Sequence, residues 1–260
     1  MTDTFFTVLA QRGVLSIAGD DRRSFLQGLT SNDVTRVTER RVLHAALLTP
    51  QGRFLHEFFV AEAAGTLDGA LLLDAEAARL GDLATRLGRF RLRARVTLTE
   101  AGDLGVAVVF GPGAAGAFAL VAAAGAAGPF AGGIACVDPR LADAGVRIIA
   151  PRDRLDEALS QAGLRRGTVE DYDRHRLALG LPDGSRDMLV EKSLLLEGGF
   201  EELNGVDFDK GCYMGQELTA RTKHRGLVRR RLVPVAVEGP LPAPGTPIMD
   251  GAQEAGEMRS

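Results

Sequence analysis

Apolar positions along this chain change period several times, and each change predicts an element. "FFTVLAQRGVLSIAG" reads as two strands around an Arg12-Gly13 turn. "DDRRSFLQGLTSND" opens on two aspartates suited to a helix's positive end and puts Phe25, Leu26 and Leu29 on one face. "RRVLHAALLTPQGRFLHEFFVA" reads as a hairpin turning at Pro50-Gln51-Gly52. "GALLLDA" is a buried strand and "AEAARLGDLATRLG" an amphipathic helix. In "RFRLRARVTLT", Arg89, Arg91, Arg93 and Arg95 alternate with Phe90, Leu92, Ala94 and Val96. Period two predicts a strand whose cationic face is either solvated or an anion-facing wall.

A second lobe begins near Ala101. "LGVAVVF", "GIACVD" and "GVRIIA" predict strands, "GAAGAFALVAAAG" a small-residue helix, and "DRLDEALSQAG" and "TVEDYDRHRLALG" two further helices. From "RGLVRRRLVPVAVEG" a strand-rich region starts, and "LPAPGTPIMDGAQEAGEMRS" has the look of the first part of a small β-barrel, stopping while its pattern still runs. The expected organisation is an N-terminal α+β lobe over 1–100, a second over 101–227, and the start of an incomplete, truncated barrel over 228–260.

Composition narrows the classes. The chain has 260 residues, 45% hydrophobic and 25% charged, an ordinary globular balance. A net charge of −3 gives no global field for nucleic acid, so direct nucleic-acid binding is not expected. The uncharged run between Asp103 and Asp138 is long enough to span a bilayer, but its Gly and Ala content and Pro112 and Pro129 argue for buried elements; no membrane partner is expected. Without a secretory pattern at the N-terminus, a cytoplasmic, bacterial-type location is expected.

Candidate chemistry is sparse. "GPGAAG" at 111–116 matches a dinucleotide loop, yet no acidic residue follows at the end of a second strand, which favours a structural turn. Four scattered histidines and two cysteines hold no metal-ligand spacing, so no metal site is expected. Cys136 sits in an apolar strand as core. Cys212, in "DKGCYMGQE", is different. Lys210 and a following helix, expected to start at Met214 or Gly215, would favour its thiolate, while Gly211 and Gly215 leave room for a ligand. The competing role is packing under that helix. "RTKHRGLVRRR" places six Lys/Arg within 221–231 as a solvated face, an acidic-partner surface or an RNA-binding stretch.

"NGVDFDKGCYMGQELTARTKHRGLVRRRLVPV" closely resembles the signature of the YgfZ family, nearest its mitochondrial iron–sulfur assembly branch. "SFLQGLTSNDV", "ALLTPQGRFLHEFFV", "LALGLPDG" and "LLLEGGFEELNGV" extend the resemblance over nearly the whole chain. It implies an α+β fold like the T-protein of the glycine cleavage system, with lobes around a central folate channel. It also implies a folate-dependent factor that assists assembly or repair of iron–sulfur clusters on client enzymes, tRNA-modifying ones included. Tetrahydrofolate or a derivative is then the implied cofactor, with no permanently bound iron–sulfur cluster. Folate and iron–sulfur client or carrier proteins are the implied partners. Carried onto this chain, the resemblance marks Cys212 and Lys210 as the functional thiol and its neighbour. Asn32, Asp33, Glu197, Gly211, Tyr213, Gly215, Gln216, Glu217 and Arg221 are marked for folate. Where the T-protein has adjacent aspartates in its hairpin, this chain has His56-Glu57; Glu57 could still take a proton, but the transferase arrangement is not reproduced. The chain is therefore not expected to be a classical enzyme. The rivals are a tetrahydrofolate-dependent aminomethyl- or methyltransferase and a non-catalytic RNA or protein binder through 221–231.

Overall fold

The computed structural model describes residues 4–63, 69–226 and 228–260. Two sheets carry the fold. The first is wholly antiparallel and built from β2 (Arg12–Ala18), β3 (Leu43–Leu48), β4 (Phe54–Glu62), β5 (Leu71–Glu76) and β6 (Thr97–Glu100) in the order β3-β4-β5-β2-β6. The second contains β1 (Phe5–Val8), β7 (Leu104–Phe110), β8 (Ala127–Phe130), β9 (Gly133–Val137), β10 (Val146–Pro151) and β11 (Arg165–Arg166) in the order β11-β1-β7-β10-β9-β8. The two strands read around Arg12-Gly13 therefore both form, but they part at that turn. β1 pairs with β7 and β2 with β5, so the first strand belongs to the second sheet.

Alternation decides what lies between the sheets. On β2 and β5, Leu15, Ile17, Leu71 and Leu73 face a core capped by α1 (Arg22–Gln27) and α2 (Leu80–Gly88). Their neighbours Val14 and Leu72 face the second sheet, where Val106, Val108, Ile134, Cys136 and Ile149 meet them. The far side of the second sheet buries Ala107, Val109, Val146 and Ile148 with Leu155 and Leu159 of α3 (Arg152–Gln161). α4 (Val169–Ala178) starts at Thr168, whose side chain and that of Asp171 cap each other's backbone N–H. The short α5 (Gly184–Asp187) and α6 (Gln216–Arg225) follow. Beyond them, β12 (Pro247–Asp250) and β13 (Gln253–Glu257) form a hairpin. The boundary expected at 227 falls on a residue outside the described ones.

Three expected elements differ. The Arg-apolar alternation is not a strand: residues 89–95 are irregular and only Thr97–Glu100 pairs, with Ala18 to Leu15. A strand there would need a covered apolar face; Val96 is buried in the core and Ala94 packs at its edge, while Phe90 and Leu92 are exposed. The small-residue helix reduces to one turn at Gly116–Phe118, stopped by Ala119 in the left-handed region at φ 52°. Glycine's backbone entropy and alanine's small buried area leave little to hold a longer helix. Between 228 and 246 no strand forms. Among the described residues no helix is long and apolar enough to cross a membrane.

Candidate functional site

The "DKGCYMGQE" loop is clamped from two directions. On one side is the end of α1. Lys210 turns inward and its Nζ donates to the carbonyls of Gln27 (2.8 Å), Thr30 (2.5 Å) and Asn32 (2.8 Å). The Met214 N–H donates to Gly28 O at 3.0 Å. On the other side is the β3–β4 turn. A Cβ on Gly52 would lie 2.7 Å from Gly215 O and 2.7 Å from Leu218 Cβ, and one on Gly215 would lie 3.0 Å from Gly52 Cα. Both glycines also hold positive φ, 81° in each case. The two backbones thus touch where any side chain would separate them.

Within this clamp Tyr213 is buried against Leu48, Phe54, Met188, Leu195 and Phe200, and its ring lies 5.1 Å from Lys210 Nζ. Burial raises the Tyr213 phenol's pKa, against a hydrogen bond with Thr219. Burial likewise pushes the Lys210 ammonium down to about 8, against the pull of Asp33 and Asp207. Cys212 is exposed. The packing role therefore belongs to Tyr213, and the thiol is displayed. Lys210, expected to assist this thiol, spends its three hydrogen bonds on carbonyls. The Tyr213 N–H is also engaged, donating to Gln216 Oε1 at 3.0 Å. The helix begins at Gln216. Cys136 is buried between the sheets, and that burial raises its thiol's pKa.

The residues marked for folate scatter. Asn32 is buried; its Nδ2 donates to His44 O (2.8 Å) and Asn204 O (2.7 Å), and its Oδ1 accepts from Asp33 N. Asp33 caps a turn. Burial alone would raise its pKa, but hydrogen bonds from Thr35 and Gln27 and the Arg36 charge hold it low. Glu197 Oε2 accepts from Leu194 N at 2.8 Å and so closes its own 3-10 turn. Glu217 and Arg221 pair with each other on α6. Of this set, Asn32 lines a cleft of about 230 Å³ between the lobes, together with Arg36, Arg41, His44, Asn204 and Asp207; Asp33 and Glu197 do not. In the basic stretch Lys223 pairs with Glu201 and Arg231 with Glu202. Arg225, Arg229 and Arg230 make no ion pair among the described residues.

Sequence reasoning missed a charged layer between the sheets. Asp74 accepts from Arg12 Nε (2.6 Å) and from Arg147 Nη2 (2.5 Å). Asp138 takes Arg140 through Nε (3.0 Å) and Nη2 (2.9 Å). All three guanidiniums lie within 5.6 Å of the Phe59 ring centroid, Arg147 nearest at 3.9 Å. Glu57 closes the layer: it pairs with His44 Nε2 at 2.9 Å, accepts from Gly184 N at 2.7 Å and lies 3.7 Å from Arg140. Burial alone would raise the Glu57 pKa, but His44, Arg140 and Arg12 hold it well below the usual range. Glu57 is thus a locked carboxylate, which corrects the expectation that it could take a proton. Its neighbour His56 faces the other way, onto Asp82 of α2 at 2.9 Å, and burial lowers its pKa to about 4. The available signal was Asp74, a single charge inside the apolar run "LLLDA". Among the described residues no cluster of three or more His, Cys, Asp or Glu could hold a metal ion.

Known proteins resemble this chain at three levels. Residues 229–260 match the C-terminal β-barrel domain of CAF17. The mitochondrial iron–sulfur cluster assembly factor IBA57 of Homo sapiens is 35% identical over 270 residues, covering 96% of this chain and 72% of that one. A homologue of that factor from Mycosarcoma maydis, also mitochondrial, is 34% identical over 238 residues, covering 86% of this chain and 55% of that protein. The chain thus spans little more than half the length of the fungal relative. The mitochondrial setting of these relatives overturns the cytoplasmic, bacterial-type location expected above. Among solved structures, aminomethyltransferase T of the glycine cleavage system from Bartonella henselae superposes with a TM-score of 0.69 at 13% identity, over 86% of this chain and 64% of that one. The fold is α+β and T-protein-like. On that frame, and with 72% of the human factor covered at 35% identity, the chain belongs to the YgfZ-type family, among its IBA57 iron–sulfur cluster assembly factors.

Proposed function

We propose that this chain assists assembly or repair of iron–sulfur clusters on client proteins, with Cys212 as the group it offers to iron or to a partner's thiol. The observation that carries this reading is the exposed thiol on a clamped loop. A thiolate is a soft ligand suited to iron–sulfur chemistry. Fixing the backbone around an exposed ligand reduces the ordering cost of each encounter. The cluster is cargo here. One chain with two cysteines, one of them buried, supplies a single accessible thiolate, so a partner must bring the others.

Reduced folate belongs to this reading as ligand of the interlobe cleft. Its lining carries groups that suit the ligand: Asn204 and Asp207 for an aminopyrimidine and the Arg41 guanidinium for a carboxylate tail, while the Asn32 amide is spent on His44, Asn204 and Asp33, and Arg36 pairs with Asp33 and Asp207. Bound there, the folate would supply one-carbon or redox chemistry, while the chain's own residues orient it and screen it from water. Aminomethyl transfer is disfavoured, because the hairpin carboxylate Glu57 is buried and locked.

The test is cluster delivery from a loaded scaffold to the apo form of a four-iron or tRNA-modifying client enzyme. Cys212→Ser should lower the rate at least tenfold, while Cys136→Ser should change it little. Equal rates for Cys212→Ser and wild type, with unchanged melting temperature, would remove the thiol from the reaction. For folate, calorimetry with tetrahydrofolate should show about a tenfold affinity loss in Arg41→Ala; unchanged affinity would move the ligand out of the cleft.

A further inference from the structure

Residues 89–95 leave a feature that cluster delivery and folate do not use. The segment is fixed at both ends. Phe90 N–H and Arg91 N–H donate back to Leu87 O (3.0 Å) and Gly88 O (3.2 Å), continuing the end of α2. Arg95 is held by Asp21 through its backbone N–H at 2.8 Å and by Asp20 and Asp21 through its guanidinium. Between these anchors the loop displays two large apolar side chains. Phe90 is 41% exposed and Leu92 is 89% exposed. Leu92 holds φ 40°, a left-handed conformation unfavourable for a branched apolar residue. A strained backbone that presents leucine to water is a cost that a contact outside the described residues would offset.

Beneath the loop lies an open cleft of about 460 Å³, with Phe25 and Leu29 of the first lobe as floor and Phe90, Arg91, Leu92 and Arg93 as wall. Arg89, Arg91 and Arg93 are exposed and make no ion pair among the described residues. Gly28 closes the floor, and its carbonyl accepts from Met214 N–H. The cleft and the Cys212 loop thus share one wall.

We propose that this cleft seats an acidic segment of a partner protein, which inserts an apolar side chain between Phe90, Leu92 and Phe25 and sets carboxylates against Arg89, Arg91 and Arg93. Asp21 also lines the cleft, but it and Asp20 are paired with Arg95, so the unpaired charges there are the arginines, and charge complementarity selects the acidic character. An aromatic and an aliphatic anchor ringed by arginines has the composition of a protein–protein contact centre. The cleft is shallow and open to solvent, so a lipid surface is an outcome that the test separates. The inference goes beyond cluster delivery and folate and needs neither; it concerns where a partner is gripped while the adjoining loop works.

The test uses the whole chain and a fluorescein-labelled peptide that alternates glutamate with leucine and phenylalanine, read by anisotropy, with a lysine-for-glutamate peptide as control. The acidic peptide should bind and the basic one should not. Leu92→Asp and the pair Arg91→Glu with Arg93→Glu should each weaken binding at least tenfold, whereas Arg229→Glu with Arg230→Glu and Cys212→Ser should leave it within twofold. Amide shifts on binding should map to 24–29 and 90–94. No peptide binding, or shifts mapping elsewhere, would overturn the proposal without touching the Cys212 reading. So would tighter binding to phosphatidylglycerol vesicles or to single-stranded RNA that the same 91–93 variants abolish. Because the altered residues are exposed, melting temperatures serve as the folding control.

Discussion

Arg12, Arg140 and Arg147 and the arginines of 89–93 are the same side chain in two solvents. The first set lies between sheets with every guanidinium matched: Asp74 holds two of them, Asp138 the third, and Phe59 stacks against all three. Taking such charges out of water is so costly that they occur there only as a satisfied network. The second set stands in water without ion partners among the described residues, and its hydration costs nothing. The difference separates two roles. The buried layer fixes how the lobes meet and therefore where the interlobe cleft opens. The exposed loop contributes little to folding and remains free to meet something else.

The sharpest way to break the buried layer is Asp74→Ala. It removes the acceptor shared by Arg12 and Arg147, whose side chains are 4% and 5% exposed. Two buried guanidiniums left with only their longer contacts to Asp183 (4.0 Å) and Asp138 (3.8 Å) should cost about 3–5 kcal/mol, enough to lower the urea midpoint sharply or prevent folding. Arg147→Met with Asp74→Leu should recover part of that loss, since removing both charges removes the penalty. A loss below about 1 kcal/mol for Asp74→Ala would mean that water reaches the layer.

Glu57→Gln acts on the same layer more gently and ties it to pH. The folded Glu57 pKa is depressed below the ordinary 4.5. Its contribution is therefore complete above about pH 4.5 and is lost as pH falls toward the folded value. The amide of this variant would keep an acceptor for Gly184 N–H and lose the charge facing His44 and Arg140, costing about 1–3 kcal/mol at neutral pH. Urea midpoints of the two proteins, measured at descending pH, should begin to approach each other below about pH 4.5 and meet only near the folded value. Parallel curves would show that the layer does not depend on this ionisation.

How legible these regions were follows from the range of the interactions that make them. The β3–β4 hairpin could be read because Pro50-Gln51-Gly52 and its flanking alternation are local. The Cys212 loop could be read from its own residues and their family pattern. Its clamp could not, because Lys210 reaches carbonyls 178 to 183 residues away. The charged layer was invisible for the same reason, since Arg12 and Arg147 lie 62 and 73 residues from Asp74. Residues 89–96 misled in the opposite direction. Their alternation fits a strand, but a strand needs a neighbour, and β2 offers its edge only to Thr97–Glu100. Periodicity reports which positions could share a face and says nothing of whether a second surface covers it.

The smallest expected effect sharpens the comparison from the exposed side. Arg91→Ser with Arg93→Ser removes two side chains that touch no carboxylate among the described residues, so unfolding free energy should stay within about 0.5 kcal/mol of wild type. Arg147→Ser, the same change made in the buried layer, strands Asp74 with one partner and should cost several times as much. The pair of measurements asks whether burial, rather than residue type, sets the role of an arginine in this chain. If the double loop variant lost as much stability as the buried one, residues 91 and 93 would have to be folding contacts. In that case the loop would no longer be free for an acidic partner. If stability holds while peptide affinity falls, the two functions of arginine separate cleanly: one set holds the lobes together, and the other meets what comes to the Cys212 face.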